Sequence, residues 1–109
     1  MRLDFDTIDE TAIRGFYGGQ GDTLACMYAD EYNRIMRGRL APGASIGLHR
    51  HDAGSEIVYI LQGRGRAFLD GEREELAPGN CHYCPKGHSH SLENTGDRDL
   101  VFFAVVPCQ

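Results

Sequence analysis

His49 and His51 are separated by one residue, so on a β-strand their imidazoles point to the same face while Arg50 points to the other. Asp52–Ser55 is polar, contains Gly54 and reads as a short loop. Glu56 then opens the apolar run Ile57–Leu61, the next strand. Neighbouring strands lie about 5 Å apart, close enough for the loop to bring a carboxylate beside both histidines. His90 has to arrive from a third, more distant strand. Imidazole and carboxylate donors without a thiolate suit one divalent transition metal such as Mn, Fe, Ni or Zn, and do not suit Ca or Mg. Three nitrogens and one oxygen leave two adjacent positions of a six-coordinate ion open, as a reactive or ligand-binding centre requires. Neutral histidines and one glutamate leave a local charge of about +1 around such an ion. That charge attracts small anions such as carboxylates, enolates and α-keto or hydroxy acids, and the ion polarises what it binds.

The elements that must position these side chains are short strands broken by Gly, Pro and Asp turns. Strands are expected over Thr23–Ala29, Ile35–Leu40, Ala44–His51, Glu56–Gln62, Arg66–Leu69, Glu72–Leu76, Asn80–Cys84, Ser89–Glu93 and Leu100–Val106. Asp70-Gly71 signals a type I′ hairpin. Leu40-Ala41-Pro42-Gly43 recurs as Leu76-Ala77-Pro78-Gly79, each Pro-Gly reading as a turn that leads into a ligand-bearing segment. The echo marks two pseudo-equivalent halves of one barrel, with chance duplication as the alternative. Thr7-x-x-Glu10 fits a capping box and predicts a short helix over Ile8–Arg14. Phe16–Asp22, with Gly18, Gly19 and Gly21, reads as a tight or flexible connector, or else as a flap near the barrel mouth.

The spacings are Gly43-x5-His49-x-His51-x4-Glu56-x6-Gly63 (residues 43–63) and Gly79-x5-Pro85-x-Gly87-x2-His90-x3-Asn94 (residues 79–94). They match both motifs of the cupin superfamily at every fixed position, and the resemblance covers the middle half of the chain. It implies a single domain over residues 1–109, all-β, folded as a double-stranded β-helix or jelly-roll barrel, with residues 1–22 as a short N-terminal helix or extension. It also implies that His49, His51, Glu56 and His90 are the metal ligands, inside the barrel. Cupins include dioxygenases, isomerases, decarboxylases, lyases, storage proteins and sensors, so the resemblance fixes the site better than the reaction.

The chain of 109 residues carries a net charge of −5, which argues against a nucleic-acid partner. Met1–Glu10 is acidic and lacks the apolar stretch of a signal peptide, and the longest apolar run, Leu100–Val106, is too short to span a membrane. A soluble cytoplasmic protein is expected. Cys81 and Cys84 sit three apart on a predicted strand, facing opposite ways and beyond disulfide reach, and no second C-x-x-C completes a zinc set. Reduced, mostly buried thiols are expected.

Period 2 from Glu56 places Val58, Ile60 and Gln62 inward and Ile57, Tyr59 and Leu61 outward. The outer face is apolar as well, so cover by a second subunit (a homodimer) or by the amino-terminal segment is expected. Candidate acid–base groups beyond the ligands are His88, His82 and Tyr59, with Tyr28 and Tyr83 behind them. His88 reads either as a group at the barrel mouth or as a solvated loop histidine, His82 as structural or as a further site residue. Arg34 or Arg37 would bind an anionic ligand if either faces the lumen, and the Met36/Leu40 pattern turns Arg37 away. These features suggest a metal-dependent enzyme on a small organic acid, carbonyl compound or sugar derivative, of oxygenase, isomerase or lyase type. A non-enzymatic small-molecule-binding or sensor protein is the alternative.

Overall fold

The computed structural model describes residues 1–109. Ten strands form two antiparallel sheets. They are β1 (Thr11–Arg14), β2 (Asp22–Ala29), β3 (Asn33–Leu40), β4 (Ser45–Arg50), β5 (Glu56–Gln62), β6 (Gly65–Leu69), β7 (Glu72–Leu76), β8 (Cys81–Cys84), β9 (Ser89–Asn94) and β10 (Leu100–Pro107). One sheet runs β1-β2-β3-β10-β5-β8 and the other β4-β9-β6-β7. Their inner faces meet over a core that includes Met36, Leu40, Ile46, Ile60, Leu100 and Phe102. The chain has no helix long and apolar enough to cross a membrane.

The turns follow their residue chemistry. Gly43 and Gly79 both take positive φ (82° and 91°). In each turn the residue after the glycine donates its N–H to the carbonyl before the proline: Ala44 to Ala41 at 2.9 Å, Asn80 to Ala77 at 3.0 Å. The two Pro-Gly turns are therefore the same device used twice. Asp70 and Gly71 both have positive φ (51° and 84°), as a type I′ hairpin demands.

Two expectations are corrected. The short helix over Ile8–Arg14 is absent; Thr11–Arg14 is β1, in register with Asp22–Ala25 of β2. The cap does not form because Glu10 is bound by Arg39 (2.7 and 2.9 Å) rather than folded back onto Thr7. A helix this short is marginal in water, whereas the sheet edge supplies ready backbone partners. Gln62 does not continue the inner face of β5 but is exposed. Its register with β10 slips between Val101 and Phe102, leaving Leu61 bulged and the alternation broken. Elsewhere the period-2 pattern holds: Val58 and Ile60 are buried, while Ile57, Tyr59 and Leu61 are exposed. The amino-terminal segment covers part of the outer face. Phe5 packs edge-on against Phe103 (centroids 5.5 Å, 88°), and Arg37 binds Asp6 at 2.7 Å and the Phe5 carbonyl at 3.0 Å.

Candidate metal centre

The ligand-bearing strands come from both sheets. β4 and β9 pair so that His49 stands opposite His90, while Glu56 opens β5 in the facing sheet. Regular alternation from buried Ile46 would send His49 outward. Instead β4 slips register between Ile46 and His49 against β9, a bulge that leaves Leu48 in solvent and turns His49 inward. Gly47 sits in this bulge, where the Tyr17 carbonyl approaches so closely that a Cβ would lie 2.0 Å from its oxygen. His51, just past the end of β4, is anchored through its backbone. Its N–H donates to the His88 carbonyl (3.1 Å), and its carbonyl accepts from the Gly87 N–H (2.6 Å).

Four donor atoms converge. His51 Nε2 lies 2.8 Å from Glu56 Oε1, 3.0 Å from His90 Nε2 and 3.2 Å from His49 Nε2. His90 Nε2 lies 2.9 Å from the same Glu56 oxygen and 3.1 Å from His49 Nε2, and His49 Nε2 is 3.7 Å from that oxygen. His51, Glu56 and His90 are buried. A ring nitrogen carries one proton or one lone pair, so three mutually facing nitrogens and a carboxylate cannot all satisfy one another by hydrogen bonding. A shared cation can. Ligands about 2.1 Å from an ion stand about 3.0 Å apart at right angles and wider at larger angles; five of the six donor pairs lie at 2.8–3.2 Å and the His49–Glu56 pair at 3.7 Å. The residues thus fit a single transition-metal ion, and each offers one ligand atom.

The electrostatics agree. Burial pushes the Glu56 carboxyl pKa up, but the facing imidazoles of His49, His51 and His90 outweigh this and hold it well below the ordinary carboxylate value. Burial lowers the His90 pKa, with Glu56 opposing, so the ring favours the neutral form a ligand needs. His49 Nδ1 meets the Gly47 carbonyl at 2.8 Å. A carbonyl only accepts, so Nδ1 carries the proton and the Nε2 lone pair faces the cluster.

The other sequence candidates are placed differently. Tyr59 is on the outer face, paired with Cys81 and Phe103, and the structure does not bring it to the four ligands. His88 is half-exposed and donates from Nδ1 to Asp70, away from the cluster. His82 is fully buried behind His90 rather than in front of it, its Nε2 3.0 Å from His90 Nδ1 and its Nδ1 2.8 Å from Glu74 Oε1. Tyr28 bonds Asp30 near the surface, and Tyr83 is exposed.

Arg34 shares the inner face of β3 with Met36 and lines the small cavity in front of His49, Glu56 and His90. Its Nε is buried and has no partner. Arg37 is on the outer face, as the Met36/Leu40 pattern requires. Sequence reading did not single out Tyr17. Its ring stacks on His49 (centroids 3.9 Å, 11°), and it takes a left-handed conformation, φ 52°, in a 3-10 turn over Phe16–Gly18. The segment is thus the tight connector expected, and it lies against His49. Tyr17 and Arg34 both line the inner cavity and an outer cleft of about 420 Å³, and so stand between them. Nothing in the local sequence marks Tyr17, because its position depends on the remote Gly47 bulge. Glu74 was also missed, although period 2 from buried Leu76 would have turned it inward.

A cupin-domain family model matches residues 36–106. The chain is a cupin. Among its relatives is an oxalate-binding protein of Thermotoga maritima, 38% identical over 100 residues that span 86% of this cupin and 83% of the relative. A solved structure of a predicted oxalate decarboxylase from Thermotoga maritima superposes with a TM-score of 0.94 at 33% identity, over 100% of both chains. The cupin domain of Schizosaccharomyces pombe Cnp3 shares the fold alone. Its TM-score is 0.82 at 11% identity, covering 99% of this cupin and 74% of that chain.

Proposed function

We propose that this cupin holds one divalent transition metal ion on His49, His51, Glu56 and His90 and there binds a small carboxylate of the oxalate kind. The observation that carries this reading is the buried, unpartnered Arg34 guanidinium nitrogen in the same cavity as three of the four ligands. A bound ion would offer open positions to the oxygens of an acid and polarise them. Arg34 adds a second positive charge and a planar donor fork that matches a carboxylate. With Glu56 counted, the site's excess rises to about +2 once an ion is bound, which suits a dianion better than a neutral sugar. The name of the Thermotoga maritima oxalate-binding relative supports the same ligand class.

Turnover of the bound acid is the second reading, favoured by the likeness to a predicted oxalate decarboxylase. Apart from Arg34 and the ligands, the polar side chains lining the inner cavity are those of Tyr17 and Ser91. Tyr17 and Ser91 are therefore the candidate proton carriers of this cavity outside the ligand set. We also infer that a second copy of the chain covers the apolar outer face left by Ile57, Tyr59, Leu61 and Tyr83, all more than a third exposed.

Titration calorimetry with Mn(II), then with oxalate on the Mn(II)-loaded protein, tests the reading. Glu56→Gln or His90→Ala should weaken Mn(II) at least about tenfold. Arg34→Met should leave Mn(II) binding intact and weaken oxalate about tenfold or more, as loss of a charged hydrogen-bond donor does. Mn(II) affinity unchanged in both ligand variants removes the metal site; oxalate affinity unchanged in Arg34→Met removes the anion-binding role. Formate and carbon dioxide released from oxalate by the loaded protein would establish turnover.

A further inference from the structure

Three side chains from three strands form a chain behind the cluster: Glu74 on β7, His82 on β8 and His90 on β9. Glu74 Oε1 lies 2.8 Å from His82 Nδ1, and His82 Nε2 lies 3.0 Å from His90 Nδ1. His82 and His90 are 1% and 3% exposed, so water does not compete for these nitrogens. The two rings are nearly parallel, 16° apart. His82 is the one histidine buried in the barrel outside the ligand set.

The chain has a direction. An ionised carboxylate only accepts, so Glu74 requires a proton on His82 Nδ1. A neutral His82 then has its lone pair on Nε2 and accepts from His90 Nδ1–H. That leaves the His90 lone pair on Nε2, the atom that meets His49, His51 and Glu56. Without this chain, His90 has no reason to keep its proton on Nδ1 rather than on Nε2, where a proton would close the fourth ligand position.

We infer that Glu74 and His82 are positioning residues that fix the His90 tautomer and ring orientation for metal binding. The inference rests on the metal-site reading above, but its first test does not need a metal. The arrangement is the carboxylate–histidine–ligand pattern that tunes bound metals in general. Here the carboxylate sits at the surface, 40% exposed, and reaches the ligand through a second, buried imidazole.

Imidazole nitrogen NMR on the metal-free protein, with ¹⁵N-labelled histidine, reads the tautomers directly. His82 and His90 are both expected as Nδ1–H forms; a His90 protonated on Nε2 overturns the inference. Calorimetry with Mn(II) alone is the second arm. His82→Phe should weaken Mn(II) about tenfold to a hundredfold. Glu74→Ala, whose side chain reaches the surface, should weaken it at least about threefold on the same grounds. Glu74→Gln should recover part of this loss, because its amide oxygen accepts the same hydrogen bond. A purely structural role would lower the melting temperature of the metal-free variants without moving Mn(II) affinity, and unchanged affinity in Glu74→Ala overturns the inference. A wild-type protein that binds no Mn(II) while showing both expected tautomers would remove the metal reading and leave the hydrogen-bond chain standing.

Discussion

Cys81 and Cys84 belong to one strand but meet different surroundings. Cys81 is exposed on the outer face, and Cys84 is fully buried with burial pushing its thiol up to about 11. Cys108 is exposed and Cys26 buried. At pH 8 a thiol reagent should therefore label Cys108 in the native protein, Cys81 there only when the outer face of β5 and β8 is uncovered, and Cys26 and Cys84 only after denaturation, because the thiolate is the reacting form. Mass spectrometry of the labelled peptides checks this; rapid native labelling of Cys84 would contradict the packing at the end of β8. At this scale the convergence of His49, His51, Glu56 and His90 was legible because residue type and spacing carry it. His82 was ambiguous because its identity alone does not say whether it stands before the cluster or behind it. Tyr59 was a candidate only because it carries a hydroxyl on the strand of Glu56; strand parity already turned it outward, where the structure has it. Asn94 closes the second motif without touching the cluster. It donates from its amide to the Leu40 and Arg98 carbonyls (2.8 Å each) and accepts from the Gly96 N–H, pinning the turn after β9.

Among the elements, β4 matters most, because its bulge decides whether His49 faces the barrel. Gly47 and Gly19 make that bulge compatible with the Phe16–Gly18 turn: an added Cβ on Gly19 would lie 2.0 Å from the Ser45 carbonyl oxygen, mirroring the Gly47–Tyr17 approach. Gly47→Ala should drive the two segments apart, cost about 1–3 kcal/mol as overpacking does, and release the Tyr17 ring from His49. Urea denaturation reads the first effect. The second should appear as a shifted His49 ring resonance; an unshifted resonance in a stable variant would mean the stack does not depend on this contact. Strand existence was legible from alternating hydrophobicity and turn residues, and the paired Pro-Gly and Asp-Gly turns from their backbone needs. The bulges in β4 and β5 were not, since a slipped register depends on the partner strand. The expected amino-terminal helix failed for the same kind of reason: its local cap lost Glu10 to Arg39 on a distant strand.

For the whole molecule, the remaining exposed apolar surface is concentrated on β5 and β8. Ile57, Tyr59, Leu61 and Tyr83 are 39%, 44%, 46% and 51% exposed. The sequence expectation offered two covers, and the amino-terminal segment takes only the neighbouring ground around Phe103 and Arg37. Sedimentation should show a dimer for the natural chain, and Tyr59→Lys with Leu61→Lys should yield a folded monomer. A monomeric natural chain at high concentration would leave this face without its proposed occupant. The donor atoms span the gap between the two layers: His49, His51 and Glu56 fall close together in the chain, while His90 comes 34 residues after Glu56. No complete ligand set exists until both sheets have closed on each other. An ion gripping that set would act as a late rivet, leaving the speed of assembly to the strands and slowing chiefly the reverse process of coming apart.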